Sequence, residues 1–271
     1  LGLYFYDQAA KTNRDANAGN AGYFFGIVWP QGQGGAFNSG VVDTTSTALF
    51  MSGSYQLDEK WKLGFGFRYS EETKDLDWVL DGARSGAFRI GSTPAGGMQD
   101  SRTDTKFSPT ISMNYAVSDE AQVYAKYSTG FKSGGYNLDY INQFDLDAGI
   151  EFDLETATSY ELGYKANLLD NRLSLNVALF SIEYKDYQVN QFFDLGFDPV
   201  SGTQLTSIQI TNAAKVITDG AEIEMKFRVT DDFTINGSLG FLDATFDDFP
   251  GGYSELSDPN NPNSPKNSIN A

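Results

Sequence analysis

Apolar and polar residues alternate along this chain, most clearly at residues 107–117. The apolar positions of this stretch are Phe107, Pro109, Ile111, Met113, Tyr115 and Val117. The positions between them are Ser108, Thr110, Ser112, Asn114 and Ala116. Because successive side chains of a β-strand point to opposite faces, this period of two predicts a strand. The same alternation predicts strands at 61–69, 160–168, 173–179, 221–229 and 233–241.

The two faces of the predicted strands differ in character. In 221–229 the second face consists of Glu222, Glu224, Lys226 and Arg228. A strand with one apolar and one charged face suits a sheet that has lipid on one side and a wet lumen on the other. A soluble β-sandwich would show the same alternation, since its strands are apolar inside and polar outside.

The lengths of the connections distinguish between these two architectures. Every second connection is a tight polar turn, at 58–60, 118–120, 170–172 and 231–232. The others are long, at 9–40, 74–102, 133–154, 190–206 and 243–271. Short turns at one rim and long loops at the other are typical of outer-membrane barrels, whose short turns face the periplasm. The sequence therefore predicts an all-β fold: an antiparallel transmembrane β-barrel segment with short periplasmic turns and long extracellular loops.

Composition narrows the chemistry that the chain can perform. Its 271 residues carry 36 Asp+Glu against 19 Lys+Arg, whereas a nucleic-acid partner requires a basic surface. The absence of His excludes a Ser-His-Asp triad and imidazole metal ligands from this chain, so neither an enzyme nor a cofactor or metal site is predicted. An acidic run is interpreted as a solvated loop in preference to a cation site, because its spacing matches no calcium-loop template. This run consists of Asp145, Asp147, Glu151, Asp153 and Glu155.

The most informative motif lies at 124–137, where a strand runs into glycines and aromatics: Tyr-Ala-Lys-Tyr-Ser-Thr-Gly-Phe-Lys-Ser-Gly-Gly-Tyr-Asn. Gly130, Gly134 and Gly135 are predicted to allow a bend or a positive φ where the strand gives way to a loop, and Phe131 to anchor that bend. This stretch resembles the hallmark barrel stretch of TonB-dependent outer-membrane receptors. Further stretches resemble that family in the same order, at 1–6, 155–165, 169–189, 212–224 and 239–246.

The resemblance implies a 22-stranded barrel in the bacterial outer membrane, with its lumen filled by a plug domain. Residues 1–271 would be an internal part of that barrel domain, supplying about nine strands, with the plug domain and the C-terminal strands not present. The function implied is capture of a scarce solute at the cell surface, most often a ferric siderophore, and its import with energy from the TonB inner-membrane complex. The expected partners are that complex, outer-membrane lipid and lipopolysaccharide, and a small iron chelate.

A solute site is expected where the outer loops and the upper lumen meet the plug. The candidate aromatic walls are Trp29, Trp78, Tyr136, Tyr140, Phe192 and Phe193. The candidate cations for an anionic chelate are Arg84, Arg89 and Arg102. Packing of loops against one another is the alternative interpretation of each aromatic. A passive porin-like channel without a plug, and a soluble β-rich carbohydrate-binding or adhesin protein, are the alternative functions.

Overall fold

Extended strands dominate the computed structural model, which describes residues 1–17, 23–24, 27–28, 35–83, 90–139, 141–197 and 204–249. The long strands are β1 (Gly2–Asn17), β4 (Gly35–Gln56), β5 (Trp61–Asp81), β6 (Met98–Ser118), β7 (Ala121–Lys132), β10 (Glu155–Leu168), β11 (Leu173–Phe197), β12 (Gln204–Arg228) and β13 (Thr234–Asp248). The short elements are β2 (Tyr23–Phe24), β3 (Ile27–Val28), β8 (Gly135–Tyr136), the helix α1 (Gln143–Ala148) and β9 (Glu151–Phe152). Among the described residues no helix is long and apolar enough to cross a membrane.

The nine long strands form one antiparallel sheet in which each strand pairs with its neighbours along the chain, in the order β1-β4-β5-β6-β7-β10-β11-β12-β13. The tight turns predicted between β4 and β5, β6 and β7, β10 and β11, and β12 and β13 are confirmed. In the third of these turns, Leu169, Asp170 and Asn171 all have positive φ. Short polar turns therefore occupy one end of the sheet, as the sequence predicts.

One face of the sheet is apolar and uncovered. The register aligns Tyr69 with Phe107, Tyr127 with both Ile111 and Tyr160, and Leu162 with Leu179, and all of these side chains share that outer face. Phe107 and Leu162 remain more than half exposed. Leucine and phenylalanine exposed across a whole sheet face are unfavourable in water and favourable in lipid. The alternation in the sequence has therefore produced a lipid-facing surface.

The opposite, inner face is polar at the same depth. It carries Arg68 beside Ser108, and Lys126 directly opposite Glu161 on the neighbouring strand. Charged side chains facing away from lipid are typical of a wet barrel lumen. The inner face is therefore the lumen wall.

The strands are longer than the sequence predicts, so the predicted loop boundaries are wrong. Residues 9–17, 35–40, 74–81, 98–102, 190–197, 204–206 and 243–248 lie in strands and not in loops. A membrane crossing needs only about 9–11 residues, whereas β5 contains 21. Above the lipid both faces of a strand are wet, so the alternation disappears, as in 71–75 (Glu-Glu-Thr-Lys-Asp), although the backbone ladder continues.

The predicted loop at 133–154 does not extend into solvent. Its described residues, 133–139 and 141–154, lie across the inner face of the sheet, and we call them the inner strap. Ile141, Leu146 and Ile150 of the strap form a buried cluster with residues of upper β5, namely Leu76, Trp78 and Leu80. These β5 residues share the face of Arg68, because all four occupy even positions of one strand. The strap therefore covers the lumen wall above the level of the lipid.

Candidate functional site

The glycine-rich motif is the point at which the chain leaves the sheet. The ladder between β6 and β7 ends at the pair Thr110 and Ser128, whereas β7 remains paired with β10 as far as Lys132. The chain then crosses the inner face of β6 to reach β5. There the Lys74 Nζ atom donates hydrogen bonds of 2.6 Å each to Ser133 Oγ and to the Gly134 carbonyl oxygen. The motif thus forms the first attachment of the strap.

Gly134 and Gly135 of the motif are required for space, and none of its three glycines has positive φ, so the predicted positive φ is wrong and the predicted bend stays a prediction. Among the described residues, positive φ occurs at other glycines, Gly96, Gly97 and Gly149. A Cβ atom on Gly134 would lie 2.3 Å from both Arg102 Nη2 and the Phe152 carbonyl oxygen. One on Gly135 would lie 2.8 Å from the Phe152 ring.

The first glycine of the motif differs from the other two. A Cβ atom on Gly130 would meet no atom within 4 Å, so this position has no steric need for glycine. Phe131 follows it and pairs with Thr156 in the β7-β10 ladder, directly before the crossing. Its predicted anchoring role stays a prediction.

A charged cluster on β6 forms the second attachment. The Arg102 guanidinium pairs with Asp104 at 2.9 Å, with Glu151 of the strap at 3.0 Å and with Asp153 at 3.7 Å. Asp104 also accepts a hydrogen bond of 3.0 Å from the backbone N–H of Gly134. Arg102 and Asp104 are both buried. The positive charge of Arg102 is therefore paired with carboxylates of the strap and of its own strand.

Burial and the crowding of carboxylates shift the pKa values of groups in this cluster. Burial disfavours the charged guanidinium, but Asp104 and the other two carboxylates outweigh it, so the pKa of Arg102 is raised. Burial, followed by a hydrogen bond with Asp100 and by the charge of Asp100, raises the pKa of Glu151. Burial and the charges of Asp100 and Glu151 raise the pKa of Tyr136 to about 12. The tyrosine hydroxyl therefore acts as a neutral donor, and it bonds the Lys74 carbonyl oxygen at 3.2 Å.

The third attachment is an aromatic one. Trp78 is fully buried, and its Nε1–H donates to Asn38 Oδ1 at 2.8 Å. The Asn38 amide in turn donates to the Leu138 carbonyl oxygen of the strap at 2.6 Å. A buried indole N–H needs such a partner. Trp78 thus fixes the strap to β4 and β5 and presents no surface to a solute in this structure.

Amides fix the strap to β11 and β12 as well. Asn137 exchanges two hydrogen bonds with the backbone of Ile210, at 2.8 and 3.0 Å. Asn212 accepts from the Asp153 N–H at 2.6 Å and donates to the Asp153 carbonyl oxygen at 2.7 Å. The Gln188 side chain donates to the carbonyl oxygens of the strap residues Ser133 and Asp153 at 2.9 and 3.0 Å. The strap therefore joins strands that lie on opposite sides of β7 and β10.

The structure brings together three of the predicted site residues. Trp78, Arg102 and Tyr136 all take part in holding the strap at the inner face, although Trp78 lies four residues farther along β5 than Lys74, the ladder partner of Arg102. Phe192 and Phe193 lie in β11, opposite Ile208 and Ser207, and only their backbone is described. The remaining candidates, Trp29, Arg84, Arg89 and Tyr140, lie outside the described residues.

One exposed aromatic of the strap was missed by the sequence analysis. Phe144 in α1 is 72% exposed, whereas Leu146, two residues later, is buried in the cluster. Two residues correspond to about 200° around a helix, so the Phe144 ring points away from the wall. The signal for this helix was Asn142, whose side chain caps it by accepting from the Asp145 N–H at 2.9 Å.

The acidic run does not form a cation site among the residues that the structure describes, where no group of three or more potential ligands is found. Its carboxylates bond protein groups instead. Asp145 accepts from the Asn142 amide, Asp147 from the Gln143 amide, and Glu155 from the Gln188 N–H. Glu151 and Asp153 pair with Arg102, so the interpretation of the run as a merely solvated loop is wrong for these two members, whereas Asp145 and Asp147 bond residues of their own segment.

A recess of about 600 Å³ lies on the inner face below the strap. Phe50, Arg68, Ser108 and Thr110 are among the residues that line it. The Arg68 guanidinium lies 4.7 Å from the centre of the Tyr4 ring and 5.9 Å from that of Phe50, which are cation–π distances. The Arg68 guanidinium therefore lies against two aromatic rings of β1 and β4.

The uncovered apolar outer face, the polar inner face and the alternation of short turns with long hairpins define the wall of an outer-membrane β-barrel. The family described as TonB dependent receptor-like, beta-barrel matches residues 1–271, and the chain belongs to that family. Its members are outer-membrane proteins of Gram-negative bacteria, and this chain is part of such a barrel. The family expected from the motifs is therefore confirmed.

Two individual receptors are similar in sequence to this chain. The chain is 26% identical over 204 residues to the metal-pseudopaline receptor CntO of Pseudomonas aeruginosa, a match that covers 74% of this chain and 24% of the relative. It is also 26% identical over 204 residues to the pesticin receptor of Yersinia pestis, covering 74% of this chain and 27% of the relative. The chain thus spans about a quarter of the length of these relatives.

Solved structures show the same fold. The ferric yersiniabactin uptake receptor FyuA from Yersinia pestis matches with a TM-score of 0.64 and 18% identity, covering 90% of this chain and 32% of that one. The ferric-catecholate import receptor Fiu from E. coli K12 matches with a TM-score of 0.56 and 17% identity, covering 92% and 35%.

Proposed function

We propose that this chain forms part of the wall of an outer-membrane receptor that binds a metal chelate, a ferric siderophore in the first instance, and imports it with energy supplied through TonB. The observation that carries this proposal is the family match along all 271 residues. It is supported by the relatives, one of which is named as a receptor for metal-pseudopaline. The polar inner face supplies the wet path that a solute would need.

The edges of the sheet support a longer barrel. β1 and β13 are its two edge strands, so each is paired on one side only within the described sheet. Every backbone N–H and C=O at membrane depth needs a hydrogen-bond partner, because lipid offers none. We therefore infer that further strands of a longer receptor pair with these edges, and that its plug domain lies against the polar inner face.

The solute contacts that we propose differ in part from the sequence-based candidates. Trp78, Arg102 and Tyr136 act as supports of the strap, because their polar groups are already bonded to β4, to the strap and to β5, respectively. Phe144 is the described aromatic that the strap presents away from the wall, and an exposed ring on a rigid support suits an apolar part of a chelator. Trp29, Arg84, Arg89 and Tyr140 stay candidates.

Energy dependence tests the proposed function. The full-length receptor is expressed in a Gram-negative strain without its own siderophore receptors, and in the same strain without TonB. Accumulation of ⁵⁵Fe is measured from ferric yersiniabactin and from an iron-loaded catecholate. We expect accumulation from at least one chelate, and its loss without TonB. Accumulation that persists without TonB would establish the passive channel, and no accumulation above the empty vector from either chelate would overturn the proposal.

A further inference from the structure

The inner strap connects distant parts of the sheet. On one side it contacts β4, β5 and β6 through Asn38, Lys74 and Arg102. On the other side it contacts β11 and β12 through Gln188 and Asn212. In the sheet these two groups of strands are separated by β7 and β10. The strap therefore crosses the inner face from one group of strands to the other and does not stay at the edge of the sheet.

Moving the strap away from the wall would remove the protein partners of several polar groups that it now buries. The Asn38 amide would lose the Leu138 carbonyl oxygen, and the buried Arg102 would lose Glu151. The Gln188 amide would lose both of its acceptors in the strap. These groups would then bond water, so the stability lost is the net contribution of each hydrogen bond, which is larger for the charged groups.

Moving the strap would also expose apolar surface. Leu76, Trp78 and Leu80 are each no more than 3% exposed, because Ile141 and Ile150 of the strap cover them. The exposed tryptophan and leucines would then face water, since this level of the wall lies above the lipid. Both the polar and the apolar contacts thus favour the strap in place, which is the opposite of the sparse contacts that a mobile lid requires.

We propose that the inner strap is a fixed part of the barrel wall, which holds the curvature of β4 to β12 and narrows the upper lumen, and that solute passes beside it without displacing it. The statement about passage rests on the proposed function. The statement about fixation does not, since it concerns the folded wall alone. The strap thus narrows the lumen permanently and does not open and close as a gate.

A disulfide that fixes the strap to the wall tests whether solute passes without displacing the strap. Ile90 and Asn142 are partners in an isolated antiparallel bridge, and the Gly91 N–H donates to the Ile141 carbonyl oxygen at 2.8 Å. This pattern is that of a non-hydrogen-bonded pair, whose Cα atoms lie about 4.5 Å apart, within the range for a disulfide. The bridge would lock the strap to the segment that leads from β5 to β6. Residues 1–271 contain no natural cysteine.

The experiment compares uptake by the full-length Ile90→Cys/Asn142→Cys receptor before and after oxidation, with ⁵⁵Fe-labelled ferric yersiniabactin as the probe. The Ile90→Cys single variant controls for the oxidant, and gel mobility reports the cross-linked fraction. We expect initial rates that agree within about twofold. A tenfold or greater loss on oxidation that is restored by reduction would overturn the proposal, while the activity of the reduced form would leave the proposed function intact.

Hydrogen exchange in the unmodified receptor tests whether the strap stays docked on the wall. This test does not depend on folding of the double variant or on transport of ferric yersiniabactin. The reporters are the Gly134 N–H, bonded to Asp104 Oδ2 of β6 at 3.0 Å, and the Ile210 N–H, bonded to Asn137 Oδ1 at 2.8 Å. We expect both amides to exchange within about tenfold of the ladder amides of upper β5. Exchange a hundredfold faster than those amides would show a strap that opens, and would overturn the proposal.

Discussion

Removing Arg102 separates its structural role from a role in solute binding. Its buried pair with Asp104 lies at 2.9 Å, and both side chains are 8% exposed. Breaking a buried ion pair by deleting one partner costs about 3–5 kcal/mol, because a carboxylate is left buried without its cation. Asp104 would keep the hydrogen bond from the Gly134 N–H, and Glu151 is half exposed, so the lower end of the range applies. We expect Arg102→Ala to weaken strap docking by about 3 kcal/mol.

The chain supplies a matched control for this variant. Arg14 pairs with Asp139 of the strap at 3.0 Å, but these side chains are 56% and 65% exposed. Exposed pairs contribute about 1 kcal/mol or less. Arg14→Ala therefore removes the same type of side chain from the same segment at small cost.

Hydrogen–deuterium exchange of peptides from 133–154, in the full-length receptor held in nanodiscs, measures the effect. About 3 kcal/mol corresponds to an increase of roughly a hundredfold in strap opening. Arg14→Ala should change opening by less than about fivefold. If Arg102→Ala left exchange unchanged and abolished binding of the chelate, Arg102 would be a solute contact, and the structural reasoning would be wrong.

Three further predictions concern the strap. Gly134→Ala should increase strap opening at least tenfold in the same exchange measurement, because a backbone oxygen lies 2.3 Å from the new Cβ atom. Gly130→Ala should not increase strap opening, because its new Cβ atom meets no atom within 4 Å. Equal effects of the two variants would refute the steric argument. Phe144→Ala should weaken binding of ferric yersiniabactin about tenfold in an equilibrium titration without changing exchange, and unchanged affinity would remove Phe144 from the proposed site. The raised pKa of Glu151 means that the docked strap binds a proton more tightly than the free strap, so docking should weaken as the pH rises from below 4.5 through the higher docked pKa. Glu151→Gln should abolish that trend, and a docking free energy that grows over this window would contradict it.

Several features of the fold could be predicted from the sequence because they are local. The strands at 61–69 and 107–117 follow from alternation, which depends only on which face of a strand meets lipid. The four tight turns follow from polar residues such as Asp170 and Asn171, which tolerate positive φ. The family followed from the order of short motifs around 124–137.

The candidate site was predicted less well. Aromatics and arginines in long loops were expected to face solute, yet Trp78 and Arg102 are buried against the strap. Composition cannot distinguish these roles, since a loop that folds inward and a loop that extends outward use the same residue types. Phe144 was missed because a six-residue helix gives too short a periodic signal.

By itself, the sequence determined the strands at membrane depth, the short-turn end of the sheet and the lipid-facing side, because each depends on neighbours within a few residues. Only the tertiary structure decided where the strands end and where 133–154 lies. Above the lipid both faces of a strand meet water, so the pattern that marks a strand is lost while its ladder continues. The position of the strap depends on partners far apart in sequence, such as Arg102 with Glu151 and Asn137 with Ile210. Those partners meet only after the sheet has formed and the chain has crossed its inner face.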